Sequence, residues 1–150
     1  MGKMKVFLGS DHAGYMVKEK VKHHLDSLRI DYEDLGPYMM NTEDDYPDYA
    51  FKVAHAVARN PKSRGILVCG SGSGMTIAAN KVKNIRAVAA YDAYSAKMSR
   101  QDNDTNILGL RGRNFPFVLI KKIVDIWLHT PFSKQARHSR RLKKIQSYER

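Results

Sequence analysis

The sequence predicts a doubly wound three-layer α/β sandwich, a five-stranded parallel sheet covered by helices on both faces, with one further helix at the C-terminus. Three observations predict it. Apolar runs of strand length alternate along the chain with stretches whose apolar residues recur at helical spacing. One such run, Gly65-Ile66-Leu67-Val68-Cys69, passes at once into the loop Gly70-Ser71-Gly72-Ser73-Gly74 and then into the helical Met75-Thr76-Ile77-Ala78-Ala79-Asn80-Lys81. At 150 residues, 43% apolar and 27% charged, the chain has the size and composition of one domain with a full core.

The elements follow in order. Residues 5–10 read as a buried strand. Residues 13–28 carry Val17, Val21, Leu25 and Leu28 at helical spacing. Residues 30–34 form a second, more polar strand. Gly36 and Pro37 open a loop to about Tyr46, and Pro47 suits the first turn of a helix through Ala58. Residues 65–69 are the third strand, and the helix after the glycine loop closes near Val82. Residues 86–90 are the fourth strand, 93–100 a helix and 105–110 the fifth strand. Asn114 is placed to cap a helix running to about His129. Pro131 breaks the chain, and an amphipathic helix starts near Ser133. No internal repeat, linker or low-complexity segment interrupts the pattern.

Composition narrows the function classes. A single cysteine excludes an internal disulfide and fits a reducing compartment. No apolar run approaches the roughly 20 residues of a membrane span, and the N-terminus lacks a signal-peptide core, so a cytoplasmic protein is expected. The net charge is +11, and Lys134, Arg137, Arg140, Arg141, Lys143, Lys144 and Arg150 face only Glu149 at the C-terminus. Such a segment suits nucleic acid through counterion release, a solvated helix face, or arginines for a phosphorylated ligand. Charge alone favours the solvated face. One aromatic, Tyr148, makes a poor stacking platform, so nucleic acid is not the expected partner.

Ligands of open parallel sheets bind beyond the carboxyl ends of the strands, which gathers residues 10–12, 69–74 and Asp92 around one crevice. The glycine loop lets backbone approach a ligand, and the free N–H groups of the following helix point at negative charge. The same field favours the thiolate of Cys69. The loop matches neither the dinucleotide fingerprint nor a P-loop. A structural turn and a small core residue are the plainer readings of the glycines and the cysteine. Asp11 and His12 in Gly9-Ser10-Asp11-His12-Ala13-Gly14 suit a sugar hydroxyl and proton transfer, or a cap with a bystander. The segment 45–50 reads as capping and packing, and the polar 100–106 as a site or a plain turn. Arg137 and Arg141, four apart, share a helix face and can clamp a phosphate.

Together these pieces are far more specific than any one of them. The set Gly-Ser-Asp-His-Ala-Gly at 9–14, Asp-Tyr-Pro-Asp-Tyr-Ala at 45–50, Cys-Gly-Ser-Gly-Ser-Gly at 69–74 and Ile-Ala-Ala-Asn-Lys at 77–81 continues with Ile-Arg-Ala-Val at 85–88 and Asn-Asp-Thr-Asn at 103–106. Arg113 and the Arg137/Arg141 pair complete it. In this order it closely resembles the B-type ribose-5-phosphate isomerases, within the sugar-phosphate isomerase family that also includes galactose-6-phosphate isomerase subunits. The resemblance covers nearly the whole chain and implies a Rossmann-like fold.

It also implies an aldose–ketose isomerisation between ribose 5-phosphate and ribulose 5-phosphate through a cis-enediolate, with neither metal nor organic cofactor. Cys69 would be the base that moves a proton between C2 and C1. One subgroup uses a glutamate on the next helix instead, and this chain has Met75 there. The N–H groups of Gly70, Ser71, Gly72, Ser73 and Gly74, with the Ser71 hydroxyl, would hold the enediolate oxygen. Asp11 and His12 match sugar contacts, Asn103 a substrate-binding asparagine, and Arg113, Arg137 and Arg141 phosphate ligands. The resemblance further implies a homodimer or dimer of dimers with sites shared between subunits and the basic helix of 133–150 at the interface.

One position departs from the pattern. The family usually has histidine where this chain has Asp102, and that histidine assists opening of the furanose ring. An ordinary aspartate is a poor proton donor at pH 7. Asp102 could act as a modified acid or as a base, His12 or His138 could take over, or the substrate could be another sugar phosphate, with four carbons or a hexose 6-phosphate. A basic nucleic-acid-binding relative without catalysis is the competing class. A thiol hydrolase or redox protein would want a histidine paired to Cys69 or a second cysteine.

Overall fold

The computed structural model describes residues 4–149. Residues 1–3, and Arg150 of the basic tail, lie outside them. Its elements are β1 (Lys5–Ser10), α1 (Tyr15–Ser27), β2 (Asp31–Asp34), α2 (Tyr46–Arg59), β3 (Arg64–Cys69), α3 (Ser73–Ala79), β4 (Ala87–Ala89), α4 (Ala93–Asn103), β5 (Ile107–Arg111), α5 (Phe117–His129) and α6 (Ala136–Tyr148). The strands form one sheet in the order β2-β1-β3-β5-β4, and every neighbouring pair is parallel. This is the expected doubly wound α/β architecture. The chain reverses its winding between β1 and β3, which opens a crevice at their carboxyl ends.

Period-two alternation sorts the strand residues between the two layers. Ile66 and Val68 face α1, α4 and α5, where they pack with Val21, Leu25, Ala96 and the fully buried Trp127. Leu67 and Cys69 face α2 and α3, against Val53, Ala54 and Met75. Both faces being covered, β1 and β3 read as continuous apolar runs. The Trp127 indole donates to Thr105 Oγ1 at 2.9 Å, and Ser99 Oγ lies 3.0 Å from the same oxygen. Arg64 stacks over that ring at 5.3 Å and donates to the Trp127 and Leu128 carbonyls.

Element boundaries moved where side chains compete for backbone groups. The first helix starts at Tyr15, two residues later than its periodicity suggests, because Asp11 Oδ1 takes the Gly14 N–H at 2.9 Å and builds a turn before it. Asn114 does not cap α5. It adopts φ 50°, the left-handed region that asparagine tolerates, and Pro116 occupies the N-cap position. The helix expected to end at Arg100 continues to Asn103, where left-handed Asp104 stops it. The last helix starts at Ala136 rather than near Ser133, after Lys134 at φ 59° and a bond from Gln135 N–H to Ser133 Oγ.

Candidate active site

Strand ends and tight turns place one group of expected site residues together at the carboxyl end of the sheet. The backbone N–H of Asp11, just past β1, donates to the Val68 carbonyl at 3.2 Å, so the 11–14 turn lies against the end of β3. Its fit is close. A Cβ on Gly14 would stand 2.0 Å from the Val68 carbonyl oxygen, and one on Gly112 would stand 2.8 Å from the Ala13 carbonyl oxygen. Asp11 is almost buried. That burial raises its carboxyl above the ordinary value, against the Gly14 N–H and the neighbouring His12, which lower it. His12 turns Nδ1 onto Asp44 Oδ1 at 2.8 Å.

Cys69 ends β3 nearly buried, at 4% exposure, with its carbonyl accepting from Gly112 N–H at 2.8 Å. The loop that follows turns at Gly72, whose φ of 84° demands glycine and whose position caps α3. Ser71 Oγ accepts the Ser73 N–H at 3.2 Å, so that donor is turned into the loop while the Ser71 hydroxyl proton stays available. Tyr91 ties the loop down by donating to the Ser71 carbonyl at 2.7 Å. Arg113 lies beside Gly70, where an added Cβ would stand 3.0 Å from Nη1. Gly70, Ser71, Tyr91, Arg111, Arg113 and Asn114 line an open cleft of about 490 Å³. Gly74 faces the Tyr46 ring. Asp92 is exposed and spent as the cap of α4, accepting from Ser95 N–H at 2.7 Å, a bond that holds its carboxyl below the usual range.

The remaining expected residues lie toward the other end of the sheet. Asp102 and Asn103 close α4, and the segment after them joins the amino ends of the strands, with Asn106 bonded to Arg86 and Gly65. Exposed Arg137 and Arg141 stand on α6, whose His138 packs beside Asp102 with Nε2 3.6 Å from Oδ1. Ser133 Oγ lies 2.7 Å from the His138 Nδ1. The five residues of β5 separate the two ends by about 17 Å. An extended five-carbon sugar phosphate covers about half of that. Asp11, His12, Cys69, the 70–74 loop and Arg113 therefore form one group, and Asp102, Asn103, Arg137 and Arg141 another.

Sequence reasoning passed over Asp44, Tyr46 as a wall of the loop, Tyr91 and the His138–Asp102 contact as a built pair. Tyr46 stood inside a quoted motif, but the others carry no spacing signal because their partners are distant in sequence.

Comparison with known proteins shows the family and the fold. Residues 6–145 match the model of the Ribose/Galactose Isomerase family. The Bacillus subtilis protein YwlF is 47% identical over 146 residues, 97% of each chain. Ribose-5-phosphate isomerase B of Escherichia coli is 41% identical over 145 residues, 97% of this chain and 96% of that one. The structure of ribose-5-phosphate isomerase B from Mycoplasma genitalium with bound ribulose-5-phosphate superposes with a TM-score of 0.94 at 39% identity, covering 99% of this chain and 97% of that one. The chain belongs to the Ribose/Galactose Isomerase family and is a sugar-phosphate isomerase, an intramolecular oxidoreductase of the ribose-5-phosphate isomerase B type.

Proposed function

We propose that this chain interconverts ribose 5-phosphate and ribulose 5-phosphate, with Cys69 as the base and each complete site assembled from two chains. The observation that carries the reading is the Cys69 thiol at the crevice floor, grouped with Asp11, His12 and the 70–74 loop. The thiolate removes the C2 proton and returns it to C1. The hydroxyl proton moves in the same sense, from O2 to O1, so the enediolate forms and collapses without a redox partner. N–H groups of the 70–74 loop and the Ser71 hydroxyl stabilise the oxygen on which charge develops. Turnover of the purified protein on ribose 5-phosphate, beside four-carbon and hexose phosphates, tests the substrate. A preference for either alternative would replace ribose 5-phosphate in this reading.

The separation of the two residue groups supports the shared site. Arg137 and Arg141 reach a phosphate only if they belong to a neighbouring chain. Arg137→Ala and Arg141→Ala are each expected to raise KM with kcat held, through charge-assisted hydrogen bonds worth about 1.5–3 kcal/mol. Mixing inactive Cys69→Ala chains with chains carrying both arginine substitutions, then letting subunits exchange, tests the sharing directly. At substrate well below the raised KM, recovery of about a quarter of wild-type activity is expected, since half of randomly paired dimers hold one intact site. No recovery after verified exchange would place all the residues of a site on one chain.

At the departing position, His138 supports a working Asp102. The carboxylate accepts the proton of the anomeric hydroxyl, with the imidazole 3.6 Å behind it. Asp102→His is expected to speed turnover of ribose 5-phosphate several-fold and to leave a four-carbon phosphate, which has no furanose ring, unchanged. Equal effects on both substrates would remove ring opening as the role of this position.

A further inference from the structure

We infer that Asp44 is a positioning residue for His12, fixing the imidazole tautomer so that Nε2 offers its lone pair to a sugar hydroxyl. The inference rests on the isomerase reading for its substrate and on the geometry for everything else. Asp44 Oδ1 lies 2.8 Å from His12 Nδ1, across 32 residues of chain. The Asp44 side chain is 3% exposed against 30% for His12, and its second oxygen is buried with no partner among the described residues. An ionised carboxylate has no proton to donate, so Nδ1–H is the donor and the neutral ring keeps its lone pair on Nε2. With Nδ1 turned onto Asp44, the accessible edge of the ring is the one that carries Nε2.

The loop that brings Asp44 here is anchored. The wholly buried Lys18 ammonium donates to the Pro37 carbonyl and to Asp34 Oδ1, at 2.5 and 2.8 Å. The same Asp34 oxygen accepts the Gly36 N–H at 2.9 Å, and the Gly36 carbonyl accepts from Ser10 N–H at 3.1 Å. At the far end of the loop, the Asp44 N–H donates to the Asn41 carbonyl and α2 begins two residues later. A carboxylate so held sets the direction of an imidazole, as a third group does in any oriented nucleophile–base arrangement. Asp11 is the other acid facing His12, and its Oδ1 is spent on Gly14.

The test uses the full chain labelled with 15N-histidine. Two-bond 1H–15N spectra, with His12→Ala identifying the resonance, should show His12 protonated on Nδ1. Asp44→Ala should return it to the Nε2–H form, and Asp44→Leu, which keeps the volume, should do the same. On ribose 5-phosphate, Asp44→Ala should lower kcat/KM about tenfold or more, the loss expected for one charge-assisted hydrogen bond. In a His12→Ala background the same change should cost nothing further. An Nδ1–H signal that survives both Asp44 variants overturns the inference. So does an equal activity loss with and without His12, which would make Asp44 a purely structural anchor. A wild-type chain inert on ribose 5-phosphate but showing the expected spectra would overturn the substrate reading and leave the Asp44–His12 link standing.

Discussion

Replacing Cys69 by alanine is expected to lower kcat on ribose 5-phosphate by about a hundredfold to ten-thousandfold, the range a positioned acid–base group contributes. The site offers no second base at that place. Met75, on the first turn of α3, is fully buried and carries no titratable group. The rest of the machinery should survive, because the lost sulfur is one atom in a layer otherwise held by Val53, Leu67 and Met75. Stability should fall by only about 1 kcal/mol. Steady-state kinetics beside a thermal melt separates the two quantities. Residual activity within about tenfold of wild type, in a folded protein, would remove the thiol from the proton transfer.

Trp127→Ala is expected to be the most damaging single change to the fold, costing about 3–5 kcal/mol. The indole is fully buried in the layer under α1, α4 and α5. Its removal leaves a cavity, strips Thr105 Oγ1 of a donor and takes away the surface on which Arg64 stacks. For a chain of this length the melting temperature should drop by roughly 10 °C or more. Thr105 opens the segment into β5, and Arg100 holds the same segment through Asp104 and the Thr105 carbonyl. The loss should therefore reach Asp102 and Asn103, one turn away. Trp127→Phe, which keeps most of the volume and loses only the N–H, should cost far less. A loss equal to that of alanine would assign the effect to the hydrogen bond rather than to packing.

The fold was largely legible because its layers impose their period on the chain. Two-sided burial writes β1 and β3 as unbroken apolar runs, and one-sided burial writes α2 as Ala50, Val53, Ala54 and Val57. The order of the strands was not legible, since nothing local distinguishes β5 beside β3 from β4 beside β3. The site was legible in its strand-end half. Asp11, His12, Cys69 and the glycine loop follow their strands directly, so knowing the strand fixes the end of the sheet. The other half depends on helix length. The eleven residues of α4 carry the chain about 16 Å back across the sheet and put Asp102 and Asn103 at the amino end. Asp44 was invisible for a further reason. It stands in an acidic run, Glu43-Asp44-Asp45, where composition cannot tell the buried carboxylate from its exposed neighbours.

The close approach of Gly14 to Val68 and of Gly112 to Ala13 makes the floor of the crevice, the Cys69 thiol apart, a surface of main chain. A floor of that kind has almost no adjustable parts, because the smallest added group collides with carbonyl oxygen. Divergence toward a longer or shorter sugar would have to be written on the rim instead, at the exposed Tyr46 and Arg113. In such a design the reaction is inherited with the backbone and the one thiol it holds, while the choice of molecule can drift one exposed side chain at a time.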